Sequence, residues 1–257
     1  AGEPSSIKKY DKGFLDQFGH IITCQDRIKH RSKFLKSPGH SWFSQKTYDF
    51  LSSTNKIKKS KLLSIVVSNK NFTKGHKDRL NFCLKLKECL GDKVDLFGRG
   101  FNDFDDKWDV IAPYKYSVAI ENSVEENWVT EKIGDCFTSH TFPFYMGAPN
   151  IDKYFNPKSY ELIDINNFEK SLMTINNIIS SPEHYTNHLN SLIEAKYDYI
   201  DTHCIIPMIC NFINDNVNND ISNSHFKEIT IYPEKLKYLD KIKRMLSPKR
   251  WLNFLYK

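Results

Sequence analysis

The stretch Tyr116-Ser-Val-Ala-Ile-Glu121-Asn122-Ser-Val-Glu-Glu-Asn-Trp128-Val-Thr-Glu131-Lys132-Ile133 joins an apolar strand pattern to the start of a helix. The strand ends in Glu-Asn, a short polar turn follows, and the helix opens on Thr-Glu-Lys. A carboxylate near a helix N-terminus is favoured by the helix dipole, but an ammonium there is not. Lys132 therefore implies an anionic partner. Open α/β sheets bind phosphorylated ligands where strands end and helices begin. A carboxylate accepts the two hydroxyls of a ribose, and an ammonium neutralises a diphosphate. The pattern predicts Asn127 as the helix N-cap and a helix over Trp128 to Thr138.

The surrounding sequence repeats this alternation. Leu62 to Ser68 is a β-branched run that reads as a buried strand, and Asp78 to Leu90 carries an apolar helical face. Val94 to Phe97 is a second strand, ended by Gly98-Arg99-Gly100. Tyr116 to Ile120, Phe142 to Tyr145 and Tyr160 to Ile163 supply three more, with a helix after each of the first and last. Two further helices are predicted near 168–180 and 184–197. Strands alternating with helices predict an α/β protein with a parallel sheet covered on both faces. This places a nucleotide-binding-type Rossmann-like domain over residues 61–200.

Residues 1–60 are too few for a second domain of the same kind, so they read as a short, incomplete lobe. Within them Ser5 to Phe18 reads as a loop and helix, and Ile21 to Cys24 as a buried strand. The lysines of Asn55 to Lys61 read as a solvated linker. Residues 201–257 read as C-terminal helices, with a mobile Asn-rich loop at 211–224. The tail Lys235 to Lys257 holds eight Lys/Arg and one Asp, with Leu236, Leu239, Ile242 and Leu246 on one helical face. That composition suits peripheral docking on an anionic membrane, or a helix packed on the body.

Composition narrows the class. Of 257 residues, 40% are apolar and 26% charged, which is ordinary for a globular protein. The net charge of +6 suits an anionic small substrate, an acidic membrane surface or nucleic acid without choosing among them. No apolar run is long enough to span a bilayer, and no signal peptide is visible, so the expected location is cytoplasmic, at most peripheral on the inner face of the membrane. The six cysteines lack CxxC pairing and read as reduced thiols. Asp103-Phe-Asp105-Asp106 reads as a loop rather than a metal site, Gly98-Arg99-Gly100 as a turn, and His140 as structural. Trp42 and Tyr48 are candidates for an acceptor groove or for plain packing.

The blocks Tyr114 to Ser123, Trp128-Val-Thr-Glu-Lys-Ile133, Phe137-Thr-Ser-His-Thr-Phe-Pro-Phe-Tyr-Met-Gly-Ala-Pro149 and Phe155-Asn-Pro-Lys-Ser159 together resemble the signature of α-1,3-fucosyltransferases in glycosyltransferase family ten. The bacterial members, which decorate surface polysaccharide, are the most similar. The resemblance is strong over about 114–160 and weaker back to 62 and, through Gly2-Glu3-Pro4, to the start. It implies a two-lobed GT-B-type fold with the donor in the C-terminal lobe and the acceptor in the N-terminal one. It also implies inverting transfer of L-fucose from GDP-fucose to a glycan of surface polysaccharide or lipopolysaccharide, with no cofactor and no metal.

By the same resemblance, Glu131 holds the ribose, Lys132 the diphosphate and Arg79 a phosphate, while Glu121 and Asn122 line the fucose or phosphate side. Glu3 is the candidate general base. Trp128 stands where the family usually has Tyr, which puts the identity of the donor sugar in question. Three rival readings follow: the same fold with another nucleotide sugar, a non-catalytic nucleotide- or glycan-binding module, and a nucleic-acid-binding surface.

Overall fold

The computed structural model describes residues 3–4, 7–70, 72–216 and 230–234. Its centre is a five-stranded, all-parallel sheet. The strands are β3 (Lys61–Val66), β4 (Val94–Phe97), β5 (Tyr114–Ile120), β6 (Phe142–Met146) and β7 (Glu161–Leu162), in the spatial order β4-β3-β5-β6-β7. Central β5 and β6 are buried on both faces, as their continuous apolar runs require. The register aligns Tyr116 with Phe142 and Val118 with Phe144. The Tyr116 and Phe144 rings stack at 5.7 Å.

The order reverses after β4. The chain steps from β3 outward to β4, then returns to the other side of β3 with β5. Crossovers of this kind are right-handed, so α3 (Lys74–Leu90) and α4 (Glu131–Thr138) lie on opposite faces. Helix α3 packs with α5 (Phe168–Ser180), and α4 with α6 (His184–Asp198). The carboxyl ends of β3 and β5 thus flank the topological switch point, the place where open α/β sheets form their ligand crevice.

The N-terminal region holds α1 (Lys12–Leu15), a two-stranded parallel sheet of β1 (Ile21–Thr23) and β2 (Lys33–Leu35), and α2 (Tyr48–Ser53). The short β2 and α2 have no periodic signal in the sequence. Helix α2 ends at Lys196, whose fully buried ammonium donates to the Leu51 and Thr54 carbonyls at 3.0 and 2.9 Å. A cation at a helix C-terminus satisfies orphan carbonyls and complements the dipole.

Several expectations are corrected. Helix α4 begins at Glu131 rather than Trp128, and its cap is Thr130 rather than Asn127. Asn127 instead adopts a left-handed conformation, with φ at 61°. Its backbone N–H donates to Asn150 Oδ1 at 2.8 Å, and its own Oδ1 accepts from Tyr154 at 2.7 Å, so its side chain is spent on fixing the loop. Helix α3 starts at Lys74, four residues before the apolar face becomes visible, because Thr73 Oγ1 accepts from the His76 N–H.

The stretch 55–61 is not wholly solvated. Lys59 turns inward and donates to the Ala112 and Ser139 carbonyls and to Thr141 Oγ1 at 2.7–2.8 Å. Burial pushes its ammonium pKa down to about 7. Residues 205–216 form helix α7 (Ile205–Asn216), so the expected Asn-rich loop does not begin at 211. The rest of that loop and the basic tail lie outside the described residues. Trp42 packs against the main core and donates its indole N–H to the Lys46 carbonyl. Four of the six cysteines are buried, Cys89 and Cys210 are exposed, and all are free thiols. His140 is buried with φ at 50° and has its ring charge suppressed by burial to a pKa of about 4.

Candidate active site

At the end of β5 the chain turns through Glu121 and re-enters a helix at Glu131. Thr130 caps that helix, with its Oγ1 accepting from the Lys132 N–H at 3.4 Å. The same hydroxyl donates to Glu121 Oε1 and accepts from Lys132 Nζ at 3.2 Å. The Lys132 ammonium lies 2.9 Å from Glu121 Oε2 and 3.1 Å from Glu131 Oε1. One lysine is thus held by two carboxylates and a hydroxyl in the first turn of α4.

Burial and charge oppose each other here. Desolvation disfavours the charged form of Lys132, but Glu121 and Glu131 outweigh it and raise its pKa. Desolvation likewise works to raise Glu131, yet Lys132 and Lys107 hold its carboxyl down at about 2. Both groups are ionised across the physiological range. The Glu121 side chain has no solvent exposure, so its carboxylate meets Lys132 and Thr130 rather than open space.

Arg79 approaches from the other side of the switch point, on the second turn of α3. It is 9% exposed, and its buried Nε has no hydrogen-bond partner among the described residues. A buried guanidinium nitrogen without an acceptor is costly, and a ligand oxygen would satisfy it. The N-terminus of α3 reaches the same place. A Cβ on Gly75 would sit 2.3 Å from the Asn122 carbonyl oxygen, so only glycine lets this helix close against the end of β5. Gly147, after β6, likewise leaves room for the Glu121 side chain, whose Cγ would be 2.6 Å from an added Cβ. Asn122 Oδ1 is buried there without a hydrogen-bond partner.

Several participants escape sequence reading. Lys107 forms an ion pair with Asp135 at 2.6 Å, and with Arg79 and Lys132 it lines a small cavity of about 20 Å³. Asp135 in turn accepts from the Phe43 N–H at 2.8 Å. His40 packs edge-on against Trp128 with ring centroids 5.1 Å apart, and its carbonyl accepts from Tyr199. Trp128 is 6% exposed, so it is packed into the protein body. Lys107 and His40 reach the site only through long-range packing. Thr130, by contrast, has a legible signal as a capping residue directly before Glu-Lys.

A wider cleft of about 530 Å³ adjoins the site. Asp26, Arg27 and Leu35 of the N-terminal region form one wall, and Asn122, Glu125 and Glu126 the other. Glu3 is exposed at the N-terminal side. Its N–H donates to Tyr10 and its carbonyl accepts from Gln25. Its charge acts on both Cys24, in the cleft wall, and His40. The structure therefore brings Arg79, Glu121, Asn122, Glu131 and Lys132 together at the switch point, with Trp128 packed on His40 and Glu3 on the N-terminal side. Among the described residues no group of three or more His, Cys, Asp or Glu side chains has metal-binding geometry, and no helix is long and apolar enough to cross a membrane.

Comparison with known proteins adds the family. The model for "Glycosyltransferase family 10 (fucosyltransferase) C-term" matches residues 56–231. The chain is 30% identical over 189 residues to the α-(1,3)-fucosyltransferase FucT of Helicobacter pylori, covering 69% of this chain and 38% of that protein. It is also 30% identical over 134 residues to a putative fucosyltransferase-like protein of Arabidopsis thaliana, covering 50% of this chain and 25% of that one. The chain thus spans well under half the length of these relatives. Among solved structures, an S. aureus TarM mutant in complex with fondaparinux, α-GlcNAc-glycerol and UDP superposes with a TM-score of 0.53 at 10% identity, over 76% of this chain and 43% of that one. An α-1,3-fucosyltransferase with GDP-fucose matches with a TM-score of 0.47 at 25% identity, over 64% and 50%. The fold is α/β and of GT-B type, and the chain belongs to glycosyltransferase family 10, the fucosyltransferase family.

Proposed function

We propose that this chain supplies the donor half of a fucosyltransferase and transfers L-fucose from GDP-fucose to a glycan hydroxyl with inversion. The observation that supports this most is the convergence of Lys132, Arg79 with its unsatisfied Nε, and the N-termini of α3 and α4 on the sheet's switch point. Two cations and two helix N-termini suit a diphosphate, both as bound substrate and as leaving group. Glu131, ionised and at the rim, suits the ribose hydroxyls. The departing diphosphate is stabilised by these groups, with no metal step in the reading. Asn122 faces the sugar side, and Glu3 removes the proton from the acceptor hydroxyl across the cleft. The oxocarbenium-like centre is stabilised by nearby carboxylate and amide oxygens, as at other glycosyl-transfer centres. The acceptor is a surface glycan.

The family's fucosyl specificity favours GDP-fucose as donor. Trp128 gives a second reading its footing, namely another nucleotide sugar on the same fold. A donor screen separates the two. Purified protein is incubated with GDP-fucose, GDP-mannose, UDP-glucose and UDP-N-acetylglucosamine, and release of nucleoside diphosphate is followed. The expected result is release from GDP-fucose alone. Release from a UDP-sugar with none from GDP-fucose overturns the donor assignment.

A further inference from the structure

Glu121 has the geometry of a support rather than of a ligand contact. Its carboxylate is fully shielded from solvent, with one oxygen accepting from Thr130 and the other 2.9 Å from the Lys132 ammonium, an ion pair without hydrogen-bond geometry. The Thr130 hydroxyl is used completely: its proton goes to Glu121, and its lone pairs accept from the Lys132 N–H and Nζ. Gly147 leaves the space that the Glu121 side chain occupies. Lys132 keeps 20% of its side chain exposed where Glu121 keeps none, so of this pair the lysine is the member open toward the site.

We propose that Glu121 is a positioning residue that, together with Thr130, holds the Lys132 ammonium charged and aimed at the donor diphosphate, and that it does not itself touch the sugar. This rests on the reading of Lys132 as the diphosphate contact. A long lysine stem loses much rotamer freedom when fixed, and a buried carboxylate fixes it before the ligand arrives. The charge is also secured. Burial alone drives a lysine toward neutrality, and Glu121 is the first of the groups opposing this for Lys132, ahead of Glu131. Other charged or titratable groups face Lys132 as well: His76 and Arg79 on α3, His40 before α2, and Lys107 across the small cavity. None of these is a carboxylate that could replace Glu121.

The test uses Glu121→Gln, which keeps shape and an acceptor for Thr130 while removing the charge. Titration of the Lys132 side chain by NMR in the free protein comes first, because it needs no nucleotide. The midpoint is expected to fall by at least about one pH unit, a tenfold change in proton affinity. An unchanged midpoint overturns the proposal. The second readout is the ratio of GDP affinities, wild type over variant, as a function of pH, in which titration of the guanine itself cancels. This ratio is expected to rise as the pH passes the variant's lowered midpoint, toward a limit of about tenfold for a one-unit fall, with GDP-fucose affected equally. A loss confined to GDP-fucose assigns Glu121 to the sugar and overturns the proposal.

If the Lys132 midpoint falls but the GDP ratio stays flat, Lys132 is not the diphosphate contact, and the functional reading above fails instead. Thr130→Val should lower the midpoint in the same direction by a smaller amount, and Glu121→Asp should partly restore it. These variants keep the test open if Glu121→Gln does not fold.

Discussion

Between Leu63 and Cys204 the chain buries one continuous cluster of apolar side chains, whereas among the described residues before 60 a small separate cluster forms around Leu15, Ile21 and Ile28. The first region is organised by its own periodicity, with each strand followed by the segment that covers it. The N-terminal region is organised largely by what it leans on. The Ser37 N–H donates to Tyr154 Oη, 117 residues away, at 2.9 Å. The Phe43 N–H reaches Asp135, and Lys46 pairs with Asp106 at 2.8 Å. The self-organised region holds the candidate donor site, and the borrowed one holds the candidate base.

The contrast is broken hardest at Glu3. Glu3→Gln is expected to lower turnover by about 10³-fold, within the range for loss of a general base, while GDP affinity stays within about twofold. Measured together, kcat and donor affinity separate the two regions; undiminished turnover removes Glu3 as the base.

Gly75→Ala strikes the seam of the site within the self-organised region. The added methyl meets the Asn122 carbonyl at 2.3 Å, a backbone atom that yields only if α3 moves. The expected cost is about 1–3 kcal/mol of stability, accompanied by weaker GDP binding. Thermal unfolding and calorimetry check both, and an unchanged melting temperature argues against the close approach.

The acid stability of the same core gives another check. His140 and His184 have pKa values of about 4, pushed down chiefly by burial, against an ordinary value of 6.5. Their neutral forms are favoured by folding, so the unfolded chain binds more protons below pH 6.5. The stability these groups contribute is fully present above pH 6.5 and is lost as the pH falls toward 4. For buried His140 the loss is on the order of 3 kcal/mol. His140→Asn tolerates the left-handed backbone and should flatten the dependence of denaturant midpoint on pH between 6.5 and 4. A profile as steep as that of the wild type contradicts the assignment.

What the sequence makes legible follows the same division. The strand and helix patterns from Leu62 to Tyr197 are visible because each element carries its own apolar period, and the switch-point site follows from the order of those elements. Glu131 and Lys132 are visible because they stand at a helix start. Lys107 and Asp135 are not, because a salt bridge across 28 residues leaves no local trace. Lys59 misleads in the same way, since a run of lysines reads as solvated until three distant oxygens claim one of them. Asn127 misleads because capping and left-handed turns draw on the same residue types. The N-terminal strand β2 and helix α2 are three and six residues long, too short for any period to show.

At the sheet's switch point Lys132, held at the start of α4, is expected to meet a nucleoside diphosphate. Titration calorimetry of GDP into the wild type and into Lys132→Ala tests it most directly. Removing the charged contact is expected to weaken GDP by about 10–100-fold, equivalent to roughly 1.5–3 kcal/mol, with the fold intact by circular dichroism. Equal GDP affinity in the two folded proteins contradicts it.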